Sequence, residues 1–459
     1  MTDARDLCLE FAAYAAGARY DALPASAIEA AKKSTLDLFG VILATTGLEP
    51  AVRGLIDLVR ENGGPAESSV VGFGRAPAVW AAFANGAMAH CMDFDDLTPW
   101  GNHATSSIIP AAFAIAERKG RVSGKEMITA IAVGQDLFAR LLRNVKWRKD
   151  WNMSTVAGVF AATAAAGRIL DLTAERMANA LSIASMQSGG TMEVVYGVGG
   201  DMRGMYAAFS AKAAVLSALL AEKGLSGPKS AFEGRVGYFP TYFDNEYDRA
   251  KIMEGLGADY QGDTTLYKPW PAVGPAHGHI HATIELVSGH DIPPDDVQAI
   301  RVHAGDYHQI MCTPLESRRA PTTLVDAKFS LPFLVAVAAV HRDVKISHFT
   351  GTGLHDPAVL AMAQKVVPFP DPAYDWKVEL PPGRVAITTR DGRTFDRIGE
   401  KVLGSPEAPM NWDQIARKFG ECASVAAVPP SAVKVAEAQA FARRLETQAD
   451  AAALLRMLA

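Results

Sequence analysis

The sequence predicts a mainly α-helical protein that carries a smaller α+β domain. Three observations support this fold class. Apolar residues recur at helical spacing in the first half, residues after about 267 alternate as strands do, and helical spacing returns after about 407. The chain has 459 residues, which is enough for two domains. We therefore expect a large helical domain formed by both chain ends, residues 1–266 and 408–459, and an α+β domain at 267–407.

Helix start signals punctuate the first half of the chain. Ser26 and Glu29, and again Ser123 and Glu126, have the spacing of a capping box, in which each side chain satisfies a backbone N–H of the first turn. Further helices are predicted at 80–92, 155–170, 174–184 and 205–222. These segments are rich in Ala, Gly and Ser, so the helices are expected to pack closely.

Strand and turn signals appear in the second part of the chain. Residues 297–304 alternate between apolar and polar side chains, and Asp391-Gly392 separates two strand-like runs at 385–389 and 394–398 as in a hairpin. Proline-rich loops are expected at 292–296 and 367–372. Helices are then expected at 412–423 and 431–457.

Composition and charge exclude several classes of protein. Net charge is −5, so no basic surplus is available for nucleic acid or an acidic membrane. The N-terminus lacks the basic start and apolar run of a signal peptide, and the low-charge stretch 156–172 is too weakly apolar for a membrane span. The four cysteines lie far apart, without a C-x-x-C pair. We expect a cytoplasmic protein with no membrane segment.

Aspartates and a histidine cluster between residues 90 and 103. The run His90-Cys-Met-Asp-Phe-Asp-Asp96 follows an apolar helical segment, and His103 comes shortly after. Acidic residues at the C-terminal end of a helix oppose its dipole, so stability alone does not explain them. An active-site cluster is one interpretation, and a solvated loop is the other, because Pro-Trp-Gly suits a turn.

A second histidine-rich segment begins at Lys268-Pro-Trp-Pro and contains His277, His279 and His281. His277 and His281 could share a helix face and, with the acidic run, hold a metal. The spacing is not a recognised zinc signature, so hydrogen bonding or proton transfer is the preferred role and no metal is expected. For His279 and His281, surface or capping roles are an alternative.

Two other sequence patterns bear on nucleotide binding and on hydrolase activity. The glycine-rich segment 196–204 lacks the third glycine of a dinucleotide loop and follows no strand, so it does not predict nucleotide binding. Arg203 lies in this segment. Its guanidinium could hold a carboxylate by two parallel hydrogen bonds, although a surface arginine at a helix start is an equal alternative. The chain has no G-x-S-x-G motif and therefore no signature of a nucleophilic hydrolase.

Several of these motifs together resemble the MmgE/PrpD family, which includes 2-methylcitrate dehydratase, cis-aconitate decarboxylase and iminodisuccinate epimerase. The resemblance rests on HCMDFDD followed by His103, on Leu-Ser-Gly-Pro at 225–228, on Lys268-Pro-Trp-Pro followed by His277, and on Asp-Ala-Lys-Phe-Ser-Leu-Pro-Phe at 326–333. It implies that the α+β domain is a lid and that the active site lies in the cleft. It also implies a homodimer without a metal, nucleotide or iron–sulfur cofactor. Asp93, His103 and His277 match acidic and histidine positions of the family's pocket.

The chain departs from the family pattern at three positions. Asn152 stands where a pocket histidine is usual, Arg203 stands where a lysine is usual, and Leu97 occupies the place of a threonine, with Thr98 one residue late. An amide cannot act as a general base, and arginine does not lose its proton. Asn152, Arg203, Thr98 and Lys268 are therefore predicted to bind substrate.

These predictions describe a cofactor-independent lyase of the hydratase or dehydratase type, acting on a small di- or tricarboxylic acid by proton abstraction beside a carboxylate. Either His103 or His277 is the base and the other the acid, while Asp93 orients a histidine or takes the proton itself. A dicarboxylate isomerase or epimerase, a decarboxylase of an aconitate-like acid, and a non-catalytic small-acid-binding protein stay as alternatives.

Overall fold

The computed structural model describes residues 5–197 and 200–459, and the predicted fold class is confirmed. The helical part contains α1 to α13, with these bounds: Leu7–Gly17, Ala25–Leu48, Val52–Asn62, Ala78–Cys91, Thr105–Lys119, Gly124–Arg143, Met153–Ile169, Ala174–Ala184, Glu193–Tyr196, Met202–Met205, Ala207–Glu222, Tyr238–Phe243 and Arg249–Met253. A short antiparallel hairpin, β1 at Ser68–Val70 and β2 at Gly74–Ala76, precedes α4. The sequence analysis did not predict this hairpin.

The second part of the chain builds a four-stranded sheet covered by helices. Helices α14 to α20 lie at His277–Gly289, Asp306–Ile310, Leu315–Arg319, Leu324–Lys328, Leu331–His341, Gly351–Leu354 and Pro357–Gln364. Strands β3 to β6 lie at Val297–Ala304, Val366–Pro370, Gly383–Thr389 and Thr394–Gly399. Their order is β4-β3-β5-β6, with β3 and β4 parallel and the other pairs antiparallel.

Helices α21 to α23 at Trp412–Ser424, Ala432–Arg443 and Ala453–Leu458 close the chain. The prediction of a single helix at 431–457 is therefore wrong, because the helix ends at Arg443 and a second one begins at Ala453. Arg444 leaves helical geometry with φ −120 and ψ 35, and a short 3₁₀ turn at Leu445–Thr447 follows. In the segment between the two helices, Gln448 accepts from the backbone N–H of Gly124 and Ala451 donates to the Val122 carbonyl, so these backbone groups bond a distant segment instead of continuing the helix.

The buried apolar residues form two principal cores. One contains residues from the segments 7–267 and 410–458, including Leu38 and Ile415. The other contains residues from 270–387, including Leu334 and Ile300. Both ends of the chain therefore pack into the same core, and the α+β part has its own. The exact boundaries at 266 and 407 stay a prediction.

Two predictions of local structure are wrong. Helix α2 starts at Ala25 without a side-chain cap, and Glu29 instead accepts hydrogen bonds from Lys32 and from the indole of Trp412. The proline-rich segment 367–372 is partly a strand, because β4 is an edge strand, where proline costs no ladder hydrogen bond. By contrast, the capping box at Ser123 and Glu126 is confirmed.

Close helix packing follows from the small residues. A Cβ at Gly86 of α4 would lie 3.0 Å from the Cβ of Ala211 in α11, so glycine permits this approach.

Among the described residues, Met202–Glu222 is long and apolar enough to cross a membrane, and the bent pair Ala25–Leu48 and Val52–Asn62 passes the same test together. For Met202–Glu222, 67% of the relevant window is buried inside the protein, as in a core helix, so this is weak evidence for a span.

Candidate active site

The turn after α4 carries the acidic cluster. Helix α4 ends at Cys91, and Asp93 adopts a left-handed backbone with φ 45, which is unusual for a residue other than glycine. Asp93, Asp95 and Asp96 are 3%, 0% and 2% exposed, respectively. The interpretation of this run as a solvated loop is therefore wrong.

Asp95 joins two histidines at the centre of the cluster. His103 Nδ1 lies 2.9 Å from Asp95 Oδ2, and His90 Nδ1 lies 3.0 Å from Asp95 Oδ1. The histidine rings are in edge contact, with centroids 4.3 Å apart. Burial would raise the pKa of Asp95, but both histidines act against it and hold the pKa well below its usual range. An ionised Asp95 accepts from both Nδ1 atoms.

His103 is consequently oriented as a base. With the Nδ1 proton directed at Asp95, the lone pair is on Nε2, which lies 3.8 Å from Asp93 Oδ1. The backbone N–H of His103 donates to Ser154 Oγ at 3.1 Å and fixes the residue further. Burial lowers the pKa of His103. A neutral imidazole with a free lone pair can accept a proton at neutral pH.

Lys268 pairs with Asp93 rather than facing open space. Its Nζ contacts Asp93 Oδ1 and donates to the Asp93 carbonyl at 2.8 Å, and the side chain is 0% exposed. Burial would raise the pKa of Asp93, but Lys268, His103 and His90 lower it to about 2. Asp93 is therefore a carboxylate across the physiological range, held beside His103.

Arg203 is a buried cation with an open hydrogen-bonding edge. It is 5% exposed, and its guanidinium lies over the ring of Phe329 at 3.3 Å from the centroid. Its Nε has no hydrogen-bond partner among the described residues. Burial lowers the pKa of Arg203 to about 10, so the group stays charged at neutral pH. The alternative of a surface arginine is wrong.

A cavity of about 50 Å³ lies between these groups. His90, Asp93, His103, Asn152 and Arg203 line it. Six aromatic residues, which come from both parts of the chain, also line it: Trp147, Trp151, Tyr206, Tyr307, Phe329 and Trp376. Charged groups enclosed by such walls interact strongly because little water screens them.

Asn152 caps helix α7 and offers a donor to this cavity. Its Oδ1 accepts from the backbone N–H of Ser154 at 3.1 Å, while its Nδ2 is buried without a partner in the part of the chain that the structure describes. The amide therefore has a spare N–H donor beside the cavity. This arrangement suits an acceptor such as a substrate oxygen.

Three predicted site residues do not line this cavity. Thr98 exchanges hydrogen bonds with the backbone of Asn102 and so fastens the loop before His103. Lys268 contacts Asp93, as described above. His277 lines a neighbouring cavity of about 420 Å³, which shares Leu97 and Gly274 with the first.

His277 is a neutral histidine. Its Nε2 lies 3.0 Å from the Ala272 carbonyl and donates to it, which leaves a lone pair on a buried Nδ1. Burial and the nearby Lys268 lower the pKa of His277 to about 3. The residue is thus poorly suited to be the acid of the pair, and it is not among the residues that line the cavity that holds Arg203.

Four of these residues could together act as ligands of a metal ion. His90, Asp93, Asp95 and His103 each offer a ligand atom, and these atoms lie within 4.8 Å of one another. In this structure Asp95 is engaged by the two histidines and Asp93 by Lys268, as described above. Among the described residues, His277 and His281 do not form a group of possible metal ligands with the acidic run. Residues 198 and 199 of the glycine-rich segment lie outside the described residues.

Asp96 is not part of the cavity wall but of a hydrogen-bond network behind it. Ser34 Oγ donates to Asp96 Oδ2 at 2.9 Å, and the hydroxyl of Thr105 donates to Oδ1. Burial raises the pKa of Asp96 to about 7. In the unfolded chain this pKa is about 4. The folded state therefore keeps a proton that the unfolded chain loses between these values.

This difference predicts a pH-dependent stability. The contribution of protonated Asp96 is fully present below about pH 4 and is lost as the pH rises toward 7. We expect the free energy of unfolding of the native protein to fall relative to that of Asp96→Asn as pH rises from 5 to 7, by up to about 1.4 kcal/mol per pH unit. Urea unfolding of both proteins at pH 5, 6 and 7 measures this difference. Parallel pH dependences would contradict the assignment.

Sequence reasoning missed part of the site. Asp95 and His90 were visible in the acidic run, but nothing in their spacing indicated that they bond each other. Tyr307 and Trp376 lie in the α+β part, and Trp376 contacts Trp147 of the helical part with centroids 4.7 Å apart. Such contacts join segments far apart in the chain, so no local pattern indicates them.

Comparisons with known proteins identify the family of this chain. Residues 9–250 match the MmgE/PrpD N-terminal domain, and residues 270–445 match the MmgE/PrpD C-terminal domain. Cis-aconitate decarboxylase of Aspergillus terreus is 27% identical over 436 residues, covering 89% of this chain and 88% of that protein. Human cis-aconitate decarboxylase is 24% identical over 379 residues, covering 76% and 73%. The 2-methylcitrate dehydratase of Escherichia coli K12 is 24% identical over 345 residues, covering 70% and 69%. The chain belongs to the MmgE/PrpD family.

Proposed function

We propose that this enzyme is a lyase acting on a small di- or tricarboxylic acid, with elimination of water as the leading reaction. The observation that carries the proposal is Arg203, a buried guanidinium whose Nε lacks a partner among the described residues, in the same cavity as His103. A buried cation with unsatisfied donors is costly unless an anion completes it. A substrate carboxylate supplies that anion and brings the adjacent carbon into the cavity.

The proposed elimination uses His103 as the base. Its Nε2 takes a proton from the carbon beside the carboxylate held by Arg203, and the C–H electron pair forms the new double bond as the C–O bond breaks. The departing hydroxide receives the proton from His103 and leaves as water. Arg203 and the Asn152 amide stabilise the negative charge that develops on the substrate. Asp95 keeps the imidazole in the required tautomer.

Tyr307 is a further candidate for contact with the substrate. It lines the cavity, and burial raises the pKa of its hydroxyl, so the group keeps its proton. A protonated hydroxyl can donate a hydrogen bond to a leaving oxygen. In this proposal His277, which lines the neighbouring cavity, takes no part in the first proton transfer. The assignment of these roles to His103 and Tyr307 replaces the expectation that His103 and His277 form an acid–base pair.

Decarboxylation is the second candidate. The relative from Aspergillus terreus named cis-aconitate decarboxylase matches 89% of this chain, and six aromatic residues line the cavity. A carboxylate transferred into such surroundings loses hydration, which favours release of carbon dioxide. In that reaction the C–C bond breaks, its electron pair stays on carbon, and the carbon takes a proton that His103 relays from water.

Product analysis in deuterated water tests the proposal. The protein is incubated with citrate-like, aconitate-like and amino-dicarboxylate acids, and each mixture is analysed by mass spectrometry. Loss of water with a new double bond supports elimination, and release of carbon dioxide supports the second candidate. Exchange of an α-hydrogen without net change would indicate an isomerase or epimerase and overturn the lyase assignment. Stabilisation of the fold by an acid without any turnover would indicate a binding protein.

We further propose that the enzyme needs no metal or organic cofactor, acts in the cytoplasm and forms a homodimer. The Asp95 carboxylate is already engaged by the N–H groups of His90 and His103, and the Asp93 carboxylate is paired with Lys268. All four cysteines are free and buried, as suits a reducing compartment. Light scattering after gel filtration tests the dimer, and dialysis against a chelator, followed by an unchanged rate, tests the independence from metals.

A further inference from the structure

The end of helix α4 gathers negative charge that its own segment does not balance. Its last carbonyls have no partner within the helix, and they lie at the negative end of the helix dipole. Asp93, Asp95 and Asp96 follow within a few residues. The left-handed backbone of Asp93 adds a conformational cost at the same point.

Three buried lysines meet this turn from distant segments. Lys328 donates to the Cys91 carbonyl, Lys268 donates to the Asp93 carbonyl at 2.8 Å, and Lys418 donates to the Phe94 carbonyl at 2.6 Å. We call Lys268, Lys328 and Lys418 the lysine clamp. Their exposures are 0%, 0% and 4%. Each ammonium therefore gives up water in order to bind the main chain of the turn.

The lysines differ in what else they contact. Lys268 also pairs with the Asp93 carboxylate, and Lys418 pairs with Asp37 at 2.7 Å. Lys328 has no carboxylate within 4 Å in the described part of the chain. A buried ammonium without such a partner is destabilising, so folding alone does not account for it. Its contact joins α17 of the α+β part to the end of α4 in the helical part.

We propose that Lys328 and Lys418 are positioning residues, which with Lys268 hold the turn at 91–96 so that Asp93 and Asp95 stay aligned with His103. This inference rests on the proposed function of that site. Because Lys328 belongs to the α+β part, the base is fully assembled only when the two parts are docked. All three lysines bind main-chain carbonyls of the turn, and Lys268 also binds the Asp93 carboxylate, so the clamp orients the aspartates from outside the cavity lining.

The test compares Lys328→Met with Lys365→Met. Lys365 also lies in the α+β part and donates to a backbone carbonyl, that of Val297 at 2.7 Å, but it does not contact the turn. We expect Lys328→Met to lower kcat by about 10- to 100-fold, the equivalent of one lost charge-assisted hydrogen bond. KM should change less than about threefold, because Arg203 still binds the acid. Lys365→Met should leave both constants near the native values.

Amide hydrogen exchange gives a readout that does not depend on turnover. The amides of Asp93 and Leu97 donate to the carbonyls of His90 and Leu266, both at 2.8 Å. In folded Lys328→Met these two amides should exchange faster, while Lys365→Met leaves them unchanged. If Lys328→Met does not fold, Lys418→Met is compared in the same way with Lys33→Met, whose lysine donates to the Met410 carbonyl at 2.9 Å.

Two results would overturn the inference. One is unchanged exchange at 93–97 in the clamp variants, and the other is a kcat within threefold of the native value. If the native protein turns over none of the acids, the proposed function fails, and exchange alone then decides whether the clamp holds the turn.

Discussion

Replacing His103 by glutamine is expected to slow turnover by about 10² to 10⁴-fold, the usual contribution of a general base. The reason is the arrangement at Asp95, which directs the Nδ1 proton away and leaves the Nε2 lone pair beside Asp93 and the cavity. Glutamine keeps similar polarity but offers no basic nitrogen. Initial rates with the acid identified by product analysis, measured as kcat and KM, check this expectation.

His279 offers the matched control for that experiment. It is also fully buried, its Nε2 bonds the His303 carbonyl at 2.9 Å, and it does not line the cavity. His279→Gln should lower stability without a comparable loss of kcat in the folded protein. Equal losses in the two variants, or near-native turnover in His103→Gln, would remove His103 from the role of base.

Replacing Arg203 by methionine is expected to reduce kcat/KM by about 10² to 10³-fold, which corresponds to roughly 3–4 kcal/mol for a desolvated charge pair. The guanidinium lies on Phe329 with its Nε unpaired in the described structure, so a substrate carboxylate is the partner that completes it. Steady-state kinetics and calorimetric binding of the acid measure the loss. KM should rise because Arg203 binds the carboxylate in the ground state, and kcat should fall because the guanidinium also stabilises the negative charge that develops in the transition state.

Two further variants sharpen this result. Arg203→Lys keeps the charge but loses the planar pair of donors, so it should retain more kcat/KM than methionine does and less than the native protein. Arg319 provides the control: it is also an arginine with an unpaired Nε, but its Nη2 donates to the Val366 carbonyl and it lies outside the cavity lining. Arg319→Met with the same kinetic loss would show that Arg203 acts through folding rather than through the substrate.

Positions 152 and 203 carry residues other than the histidine and lysine that are usual in the family, and this difference explains why the variants above are informative. Asn152 contributes a spare amide donor and Arg203 a fixed charge, and neither group can move a proton under ordinary conditions. The proposed chemistry therefore depends on His103 far more than on any second histidine. His277 supports this view, since its pKa falls to about 3 and it faces the neighbouring cavity.

Local sequence patterns predicted most of the elements that position the site. Helix α8 at Ala174–Ala184 and strand β3 at Val297–Ala304 occur with the predicted bounds, because each carries its own periodic apolar face. The capping box at Ser123 also depends only on residues three apart. The break after Arg443 and the edge strand β4 were missed, since both depend on what packs beside them.

The sequence by itself therefore determined the fold class, the family resemblance and the presence of an acidic run after α4. Only the tertiary structure decided how that run is balanced, with Lys268, Lys328 and Lys418 arriving from segments more than 170 residues away. It likewise placed Asp95 between two histidines and paired Lys268 with Asp93. The physical reason is the range of the interactions: helical periodicity and caps act between near neighbours, whereas the pairing of buried charges depends on which distant segments the two cores bring together.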